Sequence, residues 1–106
     1  MIYQYIIEPN TVKIIRSNWD NDTIVVVNLI NRDNAKLFWA SDNEISNHNV
    51  SQNFEIQLGE SIYLVAEGRN NLVILNQNGD PQHVCVDVVV NPIPPSIRPI
   101  SATSGF

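Results

Sequence analysis

The chain is short of most residues that carry chemistry or staple a small fold. It has one cysteine, Cys85, which excludes an internal disulfide and every zinc or iron–sulfur pattern built on several thiolates. Six basic residues stand against eleven acidic ones, a net charge of −5. A free-standing nucleic-acid binder carries a basic footprint, so no nucleic-acid partner is expected. No apolar run approaches the roughly 18 residues of a membrane span, and no membrane partner is expected either. The opening Met1-Ile2-Tyr3-Gln4-Tyr5 lacks the basic start and the cleavage site of a signal peptide, so none is expected and synthesis in the cytoplasm is the expectation. Charged residues make up only 16%, yet a hydrophobic content of 43% is too high for global disorder.

What is present is strand-forming. Ile and Val together number 26, against six Leu and four Ala, and fifteen Asn supply turn chemistry. Branched Cβ atoms lose side-chain freedom in a helix and pack well on a pleated surface. Apolar stretches at 2–8, 11–16, 23–30, 36–40, 54–58, 61–67, 72–76 and 82–90 are separated by Asn, Asp, Gly and Pro. Eight short strands at this spacing predict an all-β chain forming a single antiparallel two-sheet β-sandwich, with jelly-roll-like and immunoglobulin-like connectivity both open. Residues 23–30, apolar on both faces, predict a central strand covered on two sides. Residues 41–53 read as a long polar loop anchored by Ile45 and Val50. Alternation places Phe54, Ile56 and Leu58 in the core, joined by Ile62 and Leu64 across a Gly59-Glu60 turn. The sequence Asn78-Gly79-Asp80-Pro81 is the strongest hairpin signal. Val84, Val86, Val88 and Val90 share a face of the last strand. The composition divides the chain into a sandwich domain at 1–91 and an extended Pro-rich C-terminal arm at 92–106.

Few constellations carry chemistry. His83, Cys85 and Asp87 alternate along one strand, with neighbours about 6.6–7 Å apart. Asp87 lies on the far side of Cys85 from His83, the wrong order for a carboxylate that orients an imidazole. Zinc needs ligands converging from separate elements. Asp42 with Glu44, and Asp20 with Asp22, lack the spacing of a calcium loop and read as turn residues. His48 sits in the polar loop and reads as solvent-exposed. The expectation is therefore no catalytic residue, no metal, no cofactor and no enzymatic activity. The aromatics Trp19, Trp39, Tyr3, Tyr5 and Tyr63 could stack sugars, but core or interface use is favoured; Trp19, set among Asn and Asp, is the one expected to stand exposed as a partner contact.

The arm pairs four prolines, which fix φ and remove donors, with apolar anchors at Ile93, Ile97, Ile100 and Phe106. A solvating tail would carry charge instead, so these four residues are expected to bind a partner. They are spaced unevenly, as suits an extended segment crossing several shallow pockets on a neighbouring subunit.

One family likeness rests on an ordered series of segments. These are Val27-Asn28-Leu29-Ile30-Asn31, Leu37-Phe38-Trp39-Ala40 and Ser41-Asp42-Asn43-Glu44-Ile45-Ser46, then the run from Phe54 through Leu58-Gly59-Glu60-Ser61 to Leu64, then Leu72-Val73-Ile74-Leu75-Asn76 and Val84-Cys85-Val86-Asp87-Val88. In this order the chain resembles the small β-sandwich virion structural proteins of tailed bacteriophages; Ala40 stands where that group usually has Gly, and Leu58 where it has Pro. The resemblance implies a capsid decoration (cement) or auxiliary protein, or another head or tail accessory subunit, commonly a homo-oligomer. Its partners would be a major capsid or other virion protein and copies of itself. A net charge of −5 suits the exterior of a particle better than a DNA-facing interior. The competing reading is a glycan- or host-surface-binding module of a tail or head fibre.

Overall fold

The computed structural model describes residues 2–76 and 81–91. Its strands are β1 (Ile2–Ile7), β2 (Thr11–Arg16), β3 (Ile24–Leu29), β4 (Asn34–Ala40), β5 (Gln52–Gln57), β6 (Ser61–Val65), β7 (Asn71–Asn76) and β8 (Val84–Val90), with one short helix, α1 (Asp42–Ser46), between β4 and β5. They form two four-stranded sheets, the first ordered β1-β8-β3-β6 and the second β2-β7-β4-β5. Every paired strand is antiparallel. The expected two-sheet sandwich is what the chain forms, and the pairings choose between the two open connectivities. β1 pairs with β8, β2 with β7, β3 with β6 and β4 with β5. This is one long antiparallel ribbon, strands 1–4 against strands 8–5, rolled so that successive pairs alternate between sheets. That is a jelly roll.

The core lies between the sheets. Ile7, Val25, Val27, Leu29, Leu64, Val84, Val86 and Val88 of the first sheet face Ala35, Leu37, Trp39, Ile56, Leu72 and Ile74 of the second, all buried. Period-2 alternation puts them there, and each fully covered aliphatic side chain contributes about 1.5–3 kcal/mol. Two polar ties cross the gap. Trp39 Nε1 donates to the Val65 carbonyl at 3.0 Å. The buried Asn76 side chain donates to the carbonyls of Ile7 and Gln82, both at 2.9 Å.

Several sequence expectations change in the fold. Phe54, Ile56, Ile62 and Leu64 do point inward, but Leu58 is 53% exposed. β5 stops at Gln57, and the Leu58 amide donates to the Asp33 carbonyl at 3.0 Å instead of continuing a ladder. Nor do Phe54–Leu58 and Ile62–Leu64 pair across Gly59-Glu60. β5 belongs to the second sheet and β6 to the first, so Gly59, at φ +81°, turns the chain from one sheet to the other. The same holds for the Asn-Gly hairpin signal. β7 and β8 lie in different sheets, so the segment between them is a crossover; residues 77–80 themselves are outside the described residues. Residues 41–53 hold a helical turn where a plain loop was expected. Ser41 caps it, its hydroxyl accepting from the Glu44 amide while the Glu44 carboxylate accepts from the Ser41 amide. This Ser-x-x-Glu capping box is legible in the sequence. Finally, β3 is central, between β8 and β6, but no second layer of described residues covers its outer side. The expected arm, with Ile93, Ile97, Ile100 and Phe106, lies outside the described residues.

Candidate interaction surface

The outer side of the first sheet is the least ordinary surface of the molecule. Strand register lays its side chains in rows. One row runs Ile2, Val89, Val26, Tyr63. The next runs Gln4, Asp87, Asn28, Ser61, and a third holds Ile6 and Cys85. Beyond the first row, Ile24 pairs with Val65. Tyr63 is 71% exposed, Ile2 69% and Ile6 64%, and Ile24 and Val65 are exposed as well. Val26 points the same way and yet is only 6% exposed, because Val89 and Tyr63 flank it in register. An apolar surface continuous enough to bury one of its own members is a patch, not scattered exposure.

The polar row that crosses this patch is satisfied within itself. Gln4 Nε2 donates to Asp87 Oδ1 at 3.0 Å, and the Ser61 hydroxyl donates to Asn28 Oδ1. Asp87 is the single charged residue in the four strands of this sheet. Where β8 ends, Asn91 is held by β3. Its amide donates to the Ile24 carbonyl at 2.7 Å, and its side-chain oxygen accepts from the Ile24 amide at 3.0 Å. Asn91 takes φ +47°, a left-handed conformation that Asn tolerates better than most residues.

The second sheet is dressed differently. Its strands carry Lys13, Arg16, Lys36 and Glu55, and residues 41–53 are fastened to it. Arg16 grips Asp42 with two bonds, Nε to Oδ1 at 3.0 Å and Nη2 to Oδ2 at 2.6 Å, and Asn71 Nδ2 donates to the same carboxylate at 2.9 Å. The hydrogen bonds from Arg16, then from Asn71, hold the Asp42 carboxyl well below the usual carboxylate range, and the carboxylate in turn raises the Arg16 guanidinium. Glu44 is lowered too, first by the Ser41 amide and then by the charge of Arg69, whose Nε lies 3.1 Å away in ion-pair contact. Between this segment and the sheet is an open apolar cleft of about 400 Å³, lined by Ile14, Phe38, Ile45, His48, Val50 and Val73.

The remaining sequence candidates do not come together. Trp19 is half-buried rather than standing free: it packs on Trp39 with ring centroids 5.2 Å apart. Tyr3 and Tyr5 pair at 6.5 Å on the inward side of edge strand β1, whereas Tyr63 is outward on the opposite edge strand, β6. The aromatics thus occupy three places and build no common platform. His83 precedes β8, and Asp87 spends an oxygen on Gln4. Asp42 and Glu44 are engaged by cationic and amide donors. The feature that sequence reading missed is the outward apolar face of Tyr63, Ile2 and Ile6; the signal was there, in strands β1 and β6 that are apolar at two of three outward positions and wholly uncharged. No protein-family model, curated protein or solved structure matches the chain.

Proposed function

We propose that the chain is a non-enzymatic structural subunit of a bacteriophage virion, a capsid decoration protein on the particle exterior that binds neighbouring subunits through its sandwich surface and residues 92–106. The observation that carries this reading is the outer face of the β1-β8-β3-β6 sheet. Monomeric domains rarely expose contiguous apolar surface of more than a few hundred Å², and larger patches mark protein–protein contact. The fold alone does not choose, since jelly rolls serve capsid and lectin domains alike. The sequence likeness to phage virion proteins and the acidic net charge of −5 supply the remaining support. The test is quantitative mass spectrometry of gradient-purified particles from the source. A fixed copy number relative to the main shell protein is expected. Recovery of the chain only as free protein, or selective binding of the isolated chain to a glycan, would replace this reading with that of a host-surface module.

A further inference from the structure

We infer that residues 92–106 of one copy dock across the outer face of the β1-β8-β3-β6 sheet of a second copy, with Arg98 meeting Asp87. The inference deepens the subunit reading above and rests on it, because it requires copies of this chain to meet.

Three observations select this occupant. The first is charge. Asp87 is the one charged residue in the four strands of the face, and Arg98 is the one charged residue among 92–106. A second copy stacked sheet to sheet would bring another Asp87 and no cation; the C-terminal segment brings an opposite charge that a carboxylate accepts in a fork of hydrogen bonds. The second is row order. Asp87 sits in the polar row that divides the apolar row of Ile2, Val89, Val26 and Tyr63 from Ile6 and Cys85. Arg98 is likewise set between Ile97 and Ile100. With the three residues per turn that proline-rich sequences favour, Pro94, Ile97 and Ile100 would share one side, with the long Arg98 side chain a third of a turn away. Crossing the rows with that side down lays apolar on apolar while Arg98 reaches the carboxylate. The third is the manner of docking. Edge strands β1 and β6 offer unpaired backbone, but Pro92, Pro94, Pro95 and Pro99 have no amide to donate to a ladder. Such a segment covers a face and is a poor added strand.

The geometry at Asn91 favours a second copy over the segment's own sheet. Asn91 is still tied to Ile24 at the end of β8, so the chain departs from the rim of its own face. Ile93 and Pro94 each precede a proline, a sequence that favours extended backbone, so residues 92–95 would serve as a stiff spacer.

The native thiol provides the test. Cys85 lies two residues from Asp87 on the same face, so a cysteine on either side of Arg98 falls within reach of it. Full-length Ser96→Cys and Ser101→Cys variants are prepared as equal mixtures of unlabelled and ¹⁵N-labelled protein, oxidised in air and analysed by mass spectrometry after non-reducing separation. Disulfide-linked dimers of hybrid mass are expected from one of the two variants and from neither once Cys85→Ser is added. A disulfide within single chains, or none in either variant, overturns the inference. In parallel, Arg98→Asp should weaken self-association at least tenfold by sedimentation, and adding Asp87→Arg should restore it to within about threefold. Arg98→Asp with unchanged association overturns the inference even if Asp87→Arg alone fails to fold. Should the cross-links fail while the chain is still found at fixed copy number in particles, the docking falls and the subunit reading stands; linked dimers from a chain absent from particles would reverse that.

Discussion

The two outer faces of this sandwich share one core and face solvent on opposite terms. Over the second sheet, a helical turn is clamped by Arg16 and Asp42, Arg69 and Glu44, and the strands beneath carry four charged residues. Its edge strands β2 and β5 include Lys13 and Glu55, the kind of charge that discourages edge-to-edge pairing. Over the first sheet there is no cover of described residues, one charge, and two uncharged edges, β1 and β6. The inner faces are interchangeable in chemistry. The difference teaches that burial patterns inside a sandwich report folding, whereas the contrast between its outsides reports what each side meets.

The strongest way to break the comparison is to remove what the faces share. Trp39→Ala empties a core position and deletes the bond to the Val65 carbonyl that ties one sheet to the other. It should cost about 3–5 kcal/mol in reversible urea unfolding, as large aromatic truncations do. A loss below about 1 kcal/mol would mean the sheets are not held together there.

Asn76→Ala removes the side-chain donor to the Ile7 carbonyl and one of two donors to the Gln82 carbonyl, which also accepts from Arg32. A loss of about 1–3 kcal/mol is expected from the same measurement, the cost of leaving a buried acceptor without its donor. Asn76→Asp should also destabilise, because it replaces the donor, with Arg32, which donates to the Asn76 side-chain oxygen at 3.3 Å, offsetting part of the new charge; equal stability of wild type and both variants would show that water serves those carbonyls.

A matched pair of surface substitutions sharpens the contrast directly. Tyr63→Lys on the first sheet and Ile14→Lys on the second should each alter unfolding free energy by no more than about 0.5 kcal/mol, as exposed positions do. Only Tyr63→Lys should reduce self-association in sedimentation velocity. Equal effects of the two on association would erase the distinction between the faces.

The smallest effect is one of pH. Asp42 and Glu44 are both held below their ordinary values, so the native state binds fewer protons than the unfolded chain. The stabilisation is therefore present above the normal carboxylate range near pH 4 and is lost as pH falls through the depressed native values. Amide exchange protection of Asn47, His48 and Asn49, whose N–H groups donate to carbonyls of α1, should hold steady at about pH 5 and decline well below 4. In Arg16→Leu the decline should begin at higher pH. Identical profiles in the two proteins would show that the ion pair does not fasten the segment.

Local chemistry was legible in the sequence and sheet membership was not. Val84, Val86 and Val88 declare a buried face by alternation alone, and they are buried. Leu58 continues the same alternation from Phe54 and Ile56 and is exposed, because the strand ends one residue earlier and the chain changes sheets. Gly59-Glu60 and the Asn-Gly pair after β7 are good turn sequences, but turn chemistry says only that a chain can bend; which sheet the next strand joins is decided by partners far along the chain. The capping box at Ser41 and Glu44 is readable, but a helix of five residues is too short to show an apolar period. The uncovered outer face was hidden by an inference about coverage: apolar residues on both sides of residues 23–30 imply a second layer, and none of the described chain supplies it.

The nested pairing of strands also has a temporal side. β4 and β5 adjoin in the chain, while the bond from Gln4 to Asp87 spans 83 positions. Closing such distant pairs carries a loop-entropy cost before any reward, so folding should be slow for a chain of this length and should zip outward from the β4–β5 turn. On the ribosome, β1 emerges before its partner β8, with the six other strands between them. Ile2, Tyr3, Ile6 and Ile7, with no charge among them, must wait unpaired while those six strands are made. A chaperone holding that first strand would have to remain until the final strand arrives.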